Sequence, residues 1–179
     1  MTDNNNFDRE DGELVTAIKQ NDHSAFKELY FKYYEQLIRF VWYRTHSMDT
    51  SGEYVQEIFT RLWIKRHLLE PDKPVKAYLY KSLTNLIIDQ SKLSFSQTKS
   101  LENVSRERGY DNRRDIDLKI DINSAVEKLP PKLKTVFMLS RVEGFKYEEI
   151  AGICEISIKA VEKRMSSALT ILRKIFLEK

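Results

Sequence analysis

Cysteine occurs once in the 179 residues, histidine three times, proline four times and glycine five times. Cys154 stands alone, so the chain closes no internal disulfide and builds no cysteine-based metal site. Its place among apolar neighbours predicts a small buried side chain rather than a redox group. His23, His46 and His67 fall at a helix start, a helix end and a loop, and read as surface histidines; neither metal nor cofactor is expected. The sequence has no phosphate-cradling glycine loop, no HExxH and no glycine-serine-glycine elbow. It offers no candidate nucleophile or paired carboxylates, so the expectation is a protein that is not an enzyme. No apolar run approaches the roughly 20 residues of a membrane helix. The N-terminal stretch MTDNNNFDREDGE is acidic and polar, unlike a secretory signal, and a cytoplasmic location is expected. Excess charge is also missing. The net charge is +3, so any nucleic-acid surface must be a local patch.

What is abundant is Leu, Ile, Lys and Glu, a balance that favours helices joined by short connections. The fold class expected is all-α: two small helical bundles joined by a flexible linker, the second containing a helix-turn-helix. Residues 1–12 read as a disordered tail. A short helix is expected from Glu13 to Asn21. Asp22 caps a long helix from His23 to His46, striped by Phe26, Leu29, Tyr30, Tyr33, Leu37, Phe40 and Val41. Thr50 and Glu53 suggest a capping box opening a helix to Arg66. His67–Pro74 reads as a loop, and helix resumes from Val75 to Lys92, closing a first bundle over 13–92. Serines, mixed charges and Gly109 dominate 93–119, which reads as the linker. The second bundle, 120–179, opens with a helix from Ile120 to Leu129. Pro131 suits the first turn of the next helix, Lys132 to Glu143, and Gly144 its left-handed end.

From Tyr147 to Leu172 the pattern is two helices about a tight turn. Ser157 caps the second, whose stripe is Ile158, Val161, Met165 and Leu169. Lys159, Ala160, Glu162, Lys163, Ser166 and Ser167 lie off the stripe, with Arg164 at its margin. Short or cationic side chains near a helix start suit a major groove. Lys163 and Arg164 suit phosphate or guanine edges, and Glu162 suits cytosine N4. The bland alternative is a solvated amphipathic helix. A second cluster, His67, Lys73, Lys76, Tyr80, Lys81 and Asn85, sets an aromatic ring beside lysines, which suits single-stranded bases. A third face, Glu53, Gln56, Glu57, Thr60 and Arg61, reads either as a solvated surface with i,i+4 pairs or as a docking surface.

Taken together these stretches resemble one family. GEYVQEIFTRLWIKR (Gly52 to Arg66) is similar to the polymerase-docking helix of the extracytoplasmic-function sigma factors of bacterial RNA polymerase. KAYLYKSLTNLIIDQSK (Lys76 to Lys92) resembles their promoter-melting helix, with Asn85, Leu86 and Asp89 in the Asn-Leu-x-x-Asp pattern. Leu129 to Lys174 resembles their C-terminal DNA-binding domain, and Ser24 to Thr45 their first long helix. The resemblance implies a promoter-specificity subunit whose partners are core RNA polymerase, promoter DNA and an anti-sigma factor, with no membrane insertion. It implies that Glu53, Gln56, Glu57, Thr60 and Arg61 meet the clamp helices of the largest polymerase subunit. It implies that the His67–Pro74 loop, with Lys81 and Asn85, opens the minus-ten element. It implies that the off-stripe residues from Lys159 to Ser167 face the minus-thirty-five element. Two departures stand out: Glu155 occupies a turn position that favours glycine, and Lys146 stands where a Ser or Thr cap is usual. A stand-alone dimeric helix-turn-helix repressor or activator is the rival reading, against which the Gly52–Arg66 stretch argues.

Overall fold

A computed structural model of the protein describes residues 9–97 and 123–177. The chain divides into two compact units, the first ending at Leu101 and the second beginning at Glu102. The described residues are helical and contain no strand. The expected linker and tail lie largely outside them, at 98–122 and 1–8.

The first unit packs four helices: α1 (Asp11–Lys19), α2 (His23–Thr45), α3 (Met48–Ile64) and α4 (Val75–Gln97), with a 3-10 turn at Arg66–Leu68. Helix α2 begins where expected. The Asp22 carboxylate accepts from the amides of Ser24 and Ala25 at 2.8 and 3.1 Å. The helix ends at His46, left-handed at φ 53°. Its buried residues Ala25, Leu29, Tyr33, Leu37, Phe40 and Val41 recur at three and four. They meet Leu14, Val15 and Ile18 of α1, Val55, Ile58, Phe59 and Leu62 of α3, and Leu79, Tyr80 and Leu83 of α4. Each Val, Leu, Ile or Phe among them contributes about 1.5–3 kcal/mol on burial.

Several expectations are corrected. Residues 9–12 are not tail: Asp11 opens α1, accepts the Tyr33 hydroxyl and pairs with Lys32 at 2.7 Å, while Arg9 pairs with Glu28 at 2.6 Å. Helix α3 starts two residues before Thr50, because Ser47 Oγ already takes the Thr50 amide that Glu53 was expected to receive. Helix α4 runs on to Gln97, five residues past the expected end at Lys92.

In the second unit, residues 123–127 are helical (α5), followed by α6 (Pro131–Arg141), α7 (Tyr147–Cys154) and α8 (Ile158–Leu177). Pro131 sits in the first turn of α6, where its missing N–H loses nothing. Gly144 has φ +77° and lets the Phe145 amide reach back to the Leu139 carbonyl at 3.0 Å. Ala125, Val126, Leu129, Val136, Leu139, Ile150, Ile153, Val161, Met165, Ala168 and Leu172 form the core. The stripe of α8 is therefore Val161, Met165, Ala168 and Leu172. Ile158 and Leu169, expected inside, are exposed, and Cys154 is half-buried because Ile153 takes the core position beside it.

Candidate nucleic-acid and docking surfaces

The outer face of α3 is built by elimination. With Val55, Ile58, Phe59 and Leu62 inside, Glu53, Gln56, Glu57, Thr60 and Arg61 must stand outside, and all five are exposed. Ile64, at 62% exposure, extends the face by one turn. Arg61 Nε donates to Glu57 Oε1 at 2.6 Å. An exposed i,i+4 pair is worth only about 0.3–0.5 kcal/mol, so a partner can replace it readily.

The loop after α3 and the outer side of α4 form a second surface. Lys81 and Asn85 lie one turn apart, Lys81 exposed and Asn85 half-buried, with Ile88 exposed beside them. Tyr80 does not belong there. It is fully buried and packs edge-on against Phe40 at 5.1 Å, because it stands three and seven residues before Leu83 and Ile87 on the core side of the helix. Lys76 lies over that ring, 5.8 Å from its centre and half-buried. The aromatic residue that shares a side with Lys81 and Asn85 is Tyr78, three and seven residues before them, and half-buried. That spacing was the signal in the sequence that could have selected it. Beneath the loop, Val15, Lys65, Leu68, Leu69, Lys73 and Tyr78 help to line a cavity of about 250 Å³. His67 is exposed on the 3-10 turn, and Lys73 pairs with Glu70 at 2.8 Å. The hydrogen bond to Glu70 raises the Lys73 pKa above the ordinary lysine value, so this cation persists throughout the neutral range.

On α8 the Ser157 hydroxyl accepts from the Ala160 amide at 3.2 Å and starts the helix. Lys159, Glu162, Lys163 and Ser166 recur at three and four and are exposed. Ala160, Arg164 and Ser167 flank them, half-buried. The helix that precedes it turns through Glu155, left-handed at φ 54°. At the start of α7, Lys146 has no side-chain acceptor to give. The Glu149 carboxylate instead accepts from the Lys146 amide at 2.7 Å, which is half of a capping box.

Among the described residues no group of three or more His, Cys, Asp and Glu is placed to hold an ion. No helix among them is long and apolar enough to cross a membrane.

Comparison with known proteins gives a consistent result. Sigma-70 region 2 matches residues 29–92, and Sigma-70 region 4 matches residues 119–172, together well over half of the chain. RNA polymerase sigma factor SigV of Bacillus subtilis is 28% identical over 165 residues, covering 89% of each chain. The ECF RNA polymerase sigma factor SigW of the same organism is 21% identical over 174 residues, covering 89% of this chain and 93% of SigW. Among solved structures, the sigma factor RpoE of Bartonella quintana, crystallised with the anti-sigma factor NepR, aligns with a TM-score of 0.69 at 22% identity. That alignment covers 84% of this chain and 96% of RpoE.

Proposed function

The chain belongs to the sigma-70 family as an extracytoplasmic-function sigma factor, directing promoter-specific transcription initiation by RNA polymerase, and from that premise we propose how its surfaces divide the work. The first unit grips core polymerase through Glu53, Gln56, Glu57, Thr60 and Arg61. What supports this is the sidedness of α3: four apolar residues fill the core while five polar ones and Ile64 face outward. His67, Lys73, Lys81 and Asn85, joined by Tyr78 and flanked by Lys76, take the opened minus-ten strand. Cations there hold phosphate, and Tyr78 and the cavity below the loop offer an apolar surface to an unpaired base. Helix α8 presents Lys159, Ala160, Glu162, Lys163, Arg164, Ser166 and Ser167 to the minus-thirty-five duplex, where side chains of this length reach base edges.

The chain acts as an initiation factor in the cytoplasm and is not itself a catalyst. Energy for strand opening comes from captured bases and polymerase contacts. The first functional domain runs from Arg9 through the end of α4 at Gln97, and the second over 120–179. An anti-sigma factor is the expected inhibitor, by analogy with the partner of RpoE.

Reconstitution with core polymerase, followed by mapping of transcription starts, tests the assignment. Lys163→Ala should change the preference among upstream elements by about tenfold, the order of one base contact. Gln56→Ala with Glu57→Ala should weaken core association equally at every promoter. Exchange of those two effects would reverse the assignment of the surfaces. Failure of the holoenzyme to start RNA anywhere on its native genome would end it.

A further inference from the structure

Helix α1 and the turn that follows it lie outside the stretch matched by region 2, yet they make polar ties to the loop between α3 and α4. Lys19 Nζ donates to the Leu69 carbonyl at 2.7 Å. The Arg66 guanidinium donates through Nε and Nη2 to Asn21 Oδ1 at 2.7 and 2.5 Å. It also donates through Nη1 to the Trp63 carbonyl at 2.7 Å and stacks 4.5 Å above the Trp63 ring. Asn21 is left-handed at φ 67°, a conformation asparagine tolerates well. Gly12 approaches the loop so closely that a Cβ there would lie 2.8 Å from the Pro71 carbonyl oxygen. Val15, almost fully buried, lines the cavity below.

The helix making these contacts is itself anchored elsewhere. Leu14, Val15 and Ile18 are buried, and the segment leading into α1 is pinned to α2 by Arg9–Glu28 and Asp11–Lys32. Its position therefore does not depend on the loop, whereas the loop depends on it. A carbonyl held by an ammonium group and a backbone held by a close helix approach are ties of position. They act on the loop backbone at Leu69 and Pro71, not on the side chains of His67 or Lys81.

We propose that α1 is a brace for the minus-ten loop, with Gly12, Lys19 and Asn21 as positioning residues that set base discrimination on the parted strand without touching it. This rests on the loop reading that strand, as proposed above. Pre-ordering of the loop spares the ordering entropy on binding and fixes which base edges its side chains can meet.

The test uses holoenzyme made from the full chain and two fork-junction DNAs: one carrying the unpaired minus-ten sequence of a mapped promoter, the other with one unpaired base exchanged. Lys19→Met removes the donor and keeps the length. Gly12→Ala improves helix propensity while pushing on Pro71, so it does not act by weakening α1. Each variant should cut the affinity ratio between the two DNAs about fivefold, for Lys19→Met the order of one lost hydrogen bond. Affinity for core polymerase should change less than about twofold, since the α3 face is untouched. Unchanged ratios in both variants overturn the brace, as does a loss of core affinity in step with DNA affinity, which marks general destabilisation. His67→Ala with Lys73→Ala separates the premise. If that pair leaves DNA binding and discrimination intact, the loop reading has failed; if it abolishes discrimination while the α1 variants do not, only the brace has failed.

Discussion

At the scale of single residues, burial decides what each tyrosine does. Tyr33 is driven inward by the α2 stripe, and its hydroxyl donates to Asp11, to which Lys32 is also paired. Burial first, then the bond to Asp11, push its pKa well above the ordinary tyrosine value. The folded state holds the proton more tightly than the unfolded chain, so the stabilisation is complete below about pH 10 and is lost as pH rises beyond it. Tyr33→Phe should lower stability by about 1–2 kcal/mol at neutral pH and make the decline between about pH 10 and 11 shallower; urea melts across that range measure both. An equally steep decline in the variant would assign the alkaline loss to other groups. Tyr78 and Tyr80 show how far such roles were legible. Both stand amid lysines, and composition alone does not separate them. Only the distances to Leu83 and Ile87, against those to Lys81 and Asn85, place one inside and the other outside. The roles of Lys19 and Gly12 could not be read at all, because their partners are carbonyls more than forty residues away that local pattern does not encode.

Elements were easiest to read where a side chain and a period agreed. Asp22 and the α2 stripe give the same start, and Pro131 opens α6 as turn chemistry requires, although that helix ends at Arg141, two residues before the expected Glu143. The start of α3 was misread because two residues compete for one amide, and Ser47 wins by geometry. The turn between α7 and α8 came through as written. Glu155 takes the left-handed conformation that favours glycine, at a strain of about 1–2 kcal/mol. Part of that would be returned as unfolded-state entropy when glycine replaces it. Glu155→Gly should therefore raise the stability of the second unit by up to about 1 kcal/mol, seen as a higher thermal midpoint. A lower midpoint would mean that the glutamate side chain stabilises the turn by more than the backbone strain costs. Upstream-element preference should stay unchanged, since the α8 face is not altered.

For the whole molecule the central quantity is the covalent connection between two units to each of which a promoter contact is proposed. Two weak attachments on one chain act at a high effective concentration, which commonly multiplies retention by about 10²–10⁴. A protease site introduced between residues 98 and 122 offers the measurement. Cleavage after holoenzyme assembly should leave core binding intact and lower retention on a promoter bearing both elements by about a hundredfold or more. Undiminished retention would show that the upstream contact adds nothing to the downstream one. This division into two units was legible because the apolar periodicity fails between them. The end of α4 was not, because Leu93 to Gln97 carry no stripe long enough to mark a helix. A last consequence follows from the half-exposed Cys154, the sole sulfhydryl of the chain, seated one turn ahead of α8. A fluorophore coupled by maleimide would go to that atom and nowhere else, leaving every surface assigned above untouched. On the proposed reading of α8, a change in emission on adding upstream duplex to the labelled holoenzyme would follow the engagement of that helix.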